Sequence, residues 1–203
     1  MSDSPTTKVL RPPVKPAKRS LVLAFLLFTI LPSPAKDWIE YTGCHLTPGA
    51  YRDGDSFSQV EGLKTGGKRE TKTNWRLYGV DCAETDQREP ARLKEQALAF
   101  RVPEATLNSW GKKASEFSEK FLSQPFRVMT LREDAEGASK KKRYYAIIIG
   151  ADGRLLNEAL VEAGLARAYG MPAPWPDKHA RFEEHLKSLE LSARAAHVGI
   201  WAE

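Results

Sequence analysis

Cysteine and histidine are both scarce in this 203-residue chain, at two and four residues. Cys44 and Cys82 are too few for a disulfide framework, and their separation excludes a zinc ribbon. His45, His179, His185 and His197 show no local pairing signature, so the chain carries no sequence pattern for a histidine-activated nucleophile. Cys82 does lie in an acidic cluster, and a nucleophilic thiol with a spatially distant base stays open as a rival reading. Long apolar runs are missing too. The run Leu21–Leu31 would make a helix of about 16 Å, roughly half a bilayer core. A one-signed charge is also lacking. Residues 1–35 carry five of the 31 basic residues and one of the 26 acidic ones, which leaves 26 against 25 in the rest. The formal +5 therefore describes the leader and says little about a partner.

The leader reads as an export signal. A basic stretch, Arg11 to Arg19, precedes the apolar run, and small residues Ser33 and Ala35 precede a polar segment. Cleavage after Ala35 is expected, giving a secreted or periplasmic protein with no stable membrane association. The alternative is an uncleaved anchor. No cysteine follows the run, which argues against a lipid-modified terminus. Export permits a Cys44–Cys82 bridge, whose geometry the sequence does not define.

Residues 36–49, with Gly43, Pro48 and Gly49, read as an irregular lead-in. Asp53-Gly54 turns the chain, and Phe57 and Val60 begin an apolar pattern. GLKTGGKRETKTN suits a hairpin loop and WRLYGV a strand. Residues 86–104 carry Leu93, Ala97, Leu98 and Phe100 at helical intervals and read as an inserted helix, taken as solvated rather than as a cover over a site. A helix starts near Asn108, with Ala114, Phe117, Phe121 and Leu122 on one face before Pro125. FRVMTL and RYYAIII are strands, and residues 150–153 give a hairpin signal. LLNEALVEAGLA is a short helix stopped near Gly164. After the proline-rich AYGMPAPWPD loop, Phe182, Leu186, Leu189, Ala193 and Ala196 step by four and three to Gly199. About five strands with three helices and the insertion predict an α+β fold, a small barrel with packed helices.

Asp53-Gly54-Asp55, Arg76, Asp81 and Glu84 are the residues with chemistry in them. Aspartates delivered from separate strand ends, with no histidine nearby, are hard oxygen ligands suited to Ca²⁺ or Mg²⁺ rather than zinc. An arginine beside them matches two phosphate oxygens with its planar fork. Glu84 is placed to take a proton from an attacking water. Together these describe metal-assisted phosphodiester hydrolysis. The competing structural reading makes the acids solvated loop ends and Arg76 an ion-pair partner at a barrel rim.

The order DGDSF, RLYGVDCAET, RYYA, ADGRLLNEALVEAGLARAY and a final helix ending in GIW resembles the staphylococcal nuclease family over about residues 50–201. The resemblance implies a five-stranded OB-fold barrel with three helices, here with insertion 86–104, and a calcium-dependent nuclease acting on DNA and RNA. By position, Asp55 and Asp81 resemble the calcium carboxylates, with the Cys82 backbone carbonyl as a further ligand and Asp53 as an outer-shell acid. Threonine or alanine usually stands where Cys82 is, a change that a main-chain ligand tolerates. Glu84 resembles the general base and Arg76 the first phosphate arginine. Arg143 aligns with the second arginine, although the usual preceding glycine is absent and Lys141 and Lys142 crowd the turn. Tyr169 resembles an aromatic of the substrate pocket, and Trp201 matches a tryptophan without chemistry. The expectation is an exported, monomeric, Ca²⁺-dependent nuclease whose 5′-oxygen leaves. The rivals are a non-catalytic OB-fold binding module for nucleic acid and the Cys82 enzyme.

Overall fold

A computed structural model describes residues 37–86, 88–135, 141–169 and 180–202. The export signal read in residues 1–35 and most of the proline-rich loop lie outside the described residues. In chain order the elements are β1 (Ile39–His45), β2 (Arg52–Asp53), β3 (Ser56–Lys64), β4 (Glu70–Leu77), β5 (Val80–Cys82), α1 (Pro90–Phe100), α2 (Glu104–Phe121), β6 (Phe126–Thr130), β7 (Tyr144–Ile149), α3 (Leu156–Glu162), β8 (Ala166–Ala168) and α4 (Ala180–Ala195), with a 3₁₀ turn at Gly199–Ala202. None of the described helices is long and apolar enough to cross a membrane.

Five strands close on themselves in the order β1-β6-β7-β4-β3, with β3 returning to β1. All neighbours are antiparallel except β4 and β7, which run parallel with Arg76 beside Tyr145. Closure removes the exposed edges that an open sheet would leave. Alternation explains the filling: Phe126, Val128 and Thr130 of β6 point inward while Arg127 faces water. Trp75, Phe57, Val128 and Ile148 are essentially fully buried, and Tyr41 meets Trp75 edge-on at 5.1 Å. Each such side chain contributes roughly 1.5–3 kcal/mol through burial. With its four helices this is the OB-like α+β barrel that the resemblance implies.

Several elements differ from the sequence reading. Residues 39–45 form a barrel strand, not an irregular lead-in. Gly43, at φ +59°, sits in a register shift on both sides of β1, and this bulge disguises the period of two. WRLYGV is not one strand. β4 ends at Leu77, Gly79 takes φ +74°, and Val80–Cys82 leaves the barrel to pair with Ala166–Ala168. The α2 helix starts at Glu104, four residues before Asn108, and the face it buries is Leu107, Gly111, Ala114 and Ser118. The turn at 150–153 makes only an isolated bridge, Ile149 to Leu155, before α3 begins. In α4, Leu186 and Ala193 are buried as the spacing predicts, whereas Ala196 lies beyond the helix and is exposed.

The NEALVEAGLA stretch carries the fold through Asn157. Its buried carboxamide donates to the Tyr78 carbonyl at 2.9 Å and accepts from Ile148 N at 3.2 Å. It thereby satisfies backbone where β4 ends beside β7, groups that would otherwise be buried without partners. The segment 86–104, expected as a solvated helix, is packed instead. Phe100 packs on Trp201 with ring centroids 5.1 Å apart, in a second apolar cluster with Ala83, Leu107 and Ile200.

Candidate functional site

The site is built where β2, β3, β4 and β5 meet. Gly54 lies between Asp53 and Asp55 because a side chain cannot fit there. A Cβ at this position would stand 2.7 Å from both the Ala114 Cβ and the Cys82 Sγ. Ser118 Oγ donates to the Gly54 carbonyl at 2.7 Å and Leu77 N to the Asp55 carbonyl at 2.8 Å, so α2 and β4 pin the turn from both sides. Asp55 is thus buried at 2% exposure. Its Oδ2 accepts Cys82 N at 2.8 Å, and its Oδ1 lies 2.9 Å from Arg76 Nη1 and 3.2 Å from Ser56 Oγ.

Arg76 joins the two acids that the sequence singles out, since its Nη2 lies 2.8 Å from Asp81 Oδ1. Burial alone would favour the neutral guanidine, but Asp55 and Asp81 overcome it and hold Arg76 charged more firmly than in water. The two arginines converge on one hydroxyl. Arg76 Nη1 and Arg143 Nη1 each donate to Ser56 Oγ at 3.3 Å, while the Ser56 hydroxyl donates to Asp55. A hydroxyl has two lone pairs and one proton, so this geometry uses its full capacity. Lys142 turns elsewhere, towards Asp134 at 3.4 Å.

Both arginines, Glu84, Arg92, Tyr51 and Tyr169 line a cleft of about 600 Å³. Glu84 is partly buried at its wall, with Oε1 accepting Asp86 N at 3.2 Å. Tyr169 is 44% exposed, and its ring carries the Arg167 guanidinium at 4.0 Å. Tyr51 is 60% exposed. Asp53, by contrast, faces inward: its Oδ1 accepts Gly54 N at 2.8 Å and its Oδ2 meets Thr85 Oγ1 at 3.4 Å. Burial, and then the Asp55 charge, push the Asp53 carboxyl up to about 7. Asp55 is raised by burial as well.

Asp81 is 1% exposed and surrounded by cationic and amide donors. Besides Arg76 it accepts from Arg92 Nη2, from Arg167 Nε at 2.9 Å and from Gln96 Nε2 at 3.0 Å. The Cys82 carbonyl, the expected main-chain ligand, accepts the same Gln96 Nε2 at 2.8 Å. Each Asp81 oxygen thus already accepts two donors, Arg76 and Arg92 on Oδ1 and Arg167 and Gln96 on Oδ2. Among the described residues no three histidine, cysteine, aspartate or glutamate side chains are grouped to hold one ion. The expected calcium ligands Asp55 and Asp81 are therefore brought together, but by a guanidinium, and Asp81 with Cys82 does not fit a cation as arranged. The Cys82 nucleophile fares no better. Burial first, and then Asp55, Asp53 and Asp81, keep its thiol protonated well above the usual range, and both cysteines are free rather than bridged.

Residues 74–203 match the family model described as staphylococcal nuclease homologue. The chain belongs to this family. A relative from Methanocaldococcus jannaschii, an uncharacterized protein, is 30% identical over 132 residues, which is 62% of this chain and 59% of the relative. The chain thus spans about three fifths of that relative's length. Membership accounts for the barrel of a nuclease-like or nucleic-acid-binding domain. It does not explain Arg92 and Gln96. Those two stand at i and i+4 of α1, one residue off the apolar positions Leu93 and Ala97, within a run of balanced charge that carries no motif. Arg167 was equally hidden, as the inward residue of a three-residue strand between alanines.

Proposed function

We propose that the chain hydrolyses phosphodiester bonds of DNA or RNA. The observation that carries this reading is the convergence of Arg76 and Arg143 on Ser56 Oγ, in the cleft that Glu84 borders. Two guanidiniums aimed at one small oxygen suit a phosphate, whose non-bridging oxygens would take the place of that hydroxyl. Charge gathers on those oxygens as water attacks, and a preorganised donor of this kind typically lowers the barrier by about 3 kcal/mol. The Glu84 carboxylate accepts the proton of the attacking water. Tyr51 and Tyr169 offer exposed faces for the flanking bases. By the resemblance the 5′-oxygen leaves. Calcium, the ion the family resemblance implies, enters none of these steps, because Asp81 and the Cys82 carbonyl are committed to Arg92, Arg167 and Gln96. The same proposal sends the chain out of the cytoplasm through residues 1–35 and has it act as a single copy.

The test is incubation of residues 36–203 with labelled single-stranded DNA and RNA. Products that grow with enzyme and time support the reading. Tight binding with no cleavage, with or without Ca²⁺ or Mg²⁺, would leave a binding module on the same barrel.

A further inference from the structure

Helix α1 does for Asp81 what a divalent cation would do. Arg92 lays its guanidinium on Asp81 Oδ1, and the fully buried Gln96 donates to Asp81 Oδ2 at 3.0 Å and to the Cys82 carbonyl at 2.8 Å. The Gln96 carbonyl oxygen in turn accepts Glu84 N at 2.7 Å, which ties α1 to the backbone of the catalytic base. We infer that α1 replaces the divalent ion: Arg92 and Gln96 satisfy Asp81 and the Cys82 carbonyl, and the cleft takes a nucleic-acid phosphate on guanidiniums alone. This rests on the nuclease reading of the same cleft.

Charge supports the replacement. Arg76, Arg92 and Arg167 all touch Asp81, and Arg92 and Arg167 are both bonded to Glu95 at 2.7 Å. A dication at Asp81 would have to displace these cations from it. The helix is also firmly seated. Pro90 at its first turn fits the helix start, and Phe100 at its end is buried against Trp201. Arg92 then has a second use. It lines the cleft with its guanidinium 5.5 Å from the exposed Tyr169 ring. A guanidinium carries five N–H donors, and the bonds to Asp81 and Glu95 leave others to meet a phosphate oxygen.

Two measurements on the protein decide this. Isothermal titration of Ca²⁺ alone is expected to show no saturable site, whereas a one-to-one site with a Kd below about 1 mM that disappears in Asp81→Asn overturns the inference. Anisotropy of a labelled single-stranded DNA oligomer on Glu84→Gln, which suppresses cleavage, is expected to give affinities within about twofold in chelator and in Ca²⁺ at matched ionic strength. Adding Arg92→Ala is expected to weaken that binding about tenfold, with circular dichroism unchanged. If Arg92→Ala unfolds, Arg92→Lys, which keeps the charge and loses the fork, is expected to weaken it about threefold. A calcium requirement of about tenfold or more, or unaltered affinity in the Arg92 variant that folds, overturns the inference. DNA binding absent under every condition would remove the nuclease reading, and the calcium titration would still decide the replacement.

Discussion

Gln96 and Asp81 are hydrogen-bonded at 3.0 Å, one from helix α1 and the other from strand β5. The bond makes α1 part of the site. It also means that substitutions on α1 and on β5 will not add independently, since the two elements share one carboxylate.

Glu84→Gln keeps the shape of the side chain and removes its basicity. Turnover is expected to fall by about 100- to 10,000-fold, with oligonucleotide affinity nearly unchanged. Single-turnover cleavage beside equilibrium binding separates the two. Undiminished turnover would mean that another group takes the proton.

Arg143 and Arg76 share the Ser56 hydroxyl, and Arg76 in addition bridges the buried Asp55 and Asp81. Arg143→Lys is expected to lower turnover on the order of 100-fold with little change in unfolding midpoint. Arg76→Ala is expected to lower turnover and also to destabilise the fold by about 3 kcal/mol, because it strips one cation from two buried carboxylates. Urea unfolding of both variants checks the contrast. Equal stability losses would deny Arg76 its structural share.

The Asp53 carboxyl titrates near 7 in the fold, raised by burial and by Asp55, and near 3.9 in an unfolded chain. Between those values the native state holds a proton that the unfolded state has released. The contribution of this group to stability is therefore fully present below about pH 4, is lost as pH rises towards 7 and levels above it. Asp55, raised in the same direction, adds to the decline. Asp53→Asn is expected to flatten the fall in the urea midpoint between these pH values. Parallel profiles for variant and parent would refute the assignment.

Gly54→Ala adds one methyl group into a space already bounded by Ala114 and Cys82. A loss of about 2 kcal/mol is expected, with reduced activity as the turn carrying both aspartates shifts. Gly54→Ala combined with Cys82→Ser leaves the Ala114 clash in place and is expected to recover only part of the stability. Thermal unfolding of the single and double variants tests this.

The barrel, α3 and the buried face of α4 were legible because apolar periodicity reports burial directly, as at Phe126-Val128 and Leu186-Ala193. Asp55, Arg76, Asp81, Glu84 and Arg143 were legible as a set through the resemblance, and the structure brings them to one region. What escaped was decided by long-range partners. β1 was hidden by the bulge at Gly43, and β5 with β8 by a length of only three residues each. Arg92, Gln96 and Arg167 were hidden because a buried ion cluster has no period along the chain. The meaning of Gly54 was also displaced: the DGD turn suggested backbone freedom, whereas the requirement is the absence of a methyl group beside α2.

The break at Gly79 gives Arg76 and Asp81 different supports. Arg76 rides a strand paired on both sides within the barrel, while Asp81 rides a two-stranded ribbon only three residues long. The ribbon is short but deeply placed, with Val80 at 2%, Asp81 at 1% and Cys82 at 4% exposure. Burial rather than ladder length therefore keeps the anion beside the guanidinium, and the two part only when the core that encloses them opens.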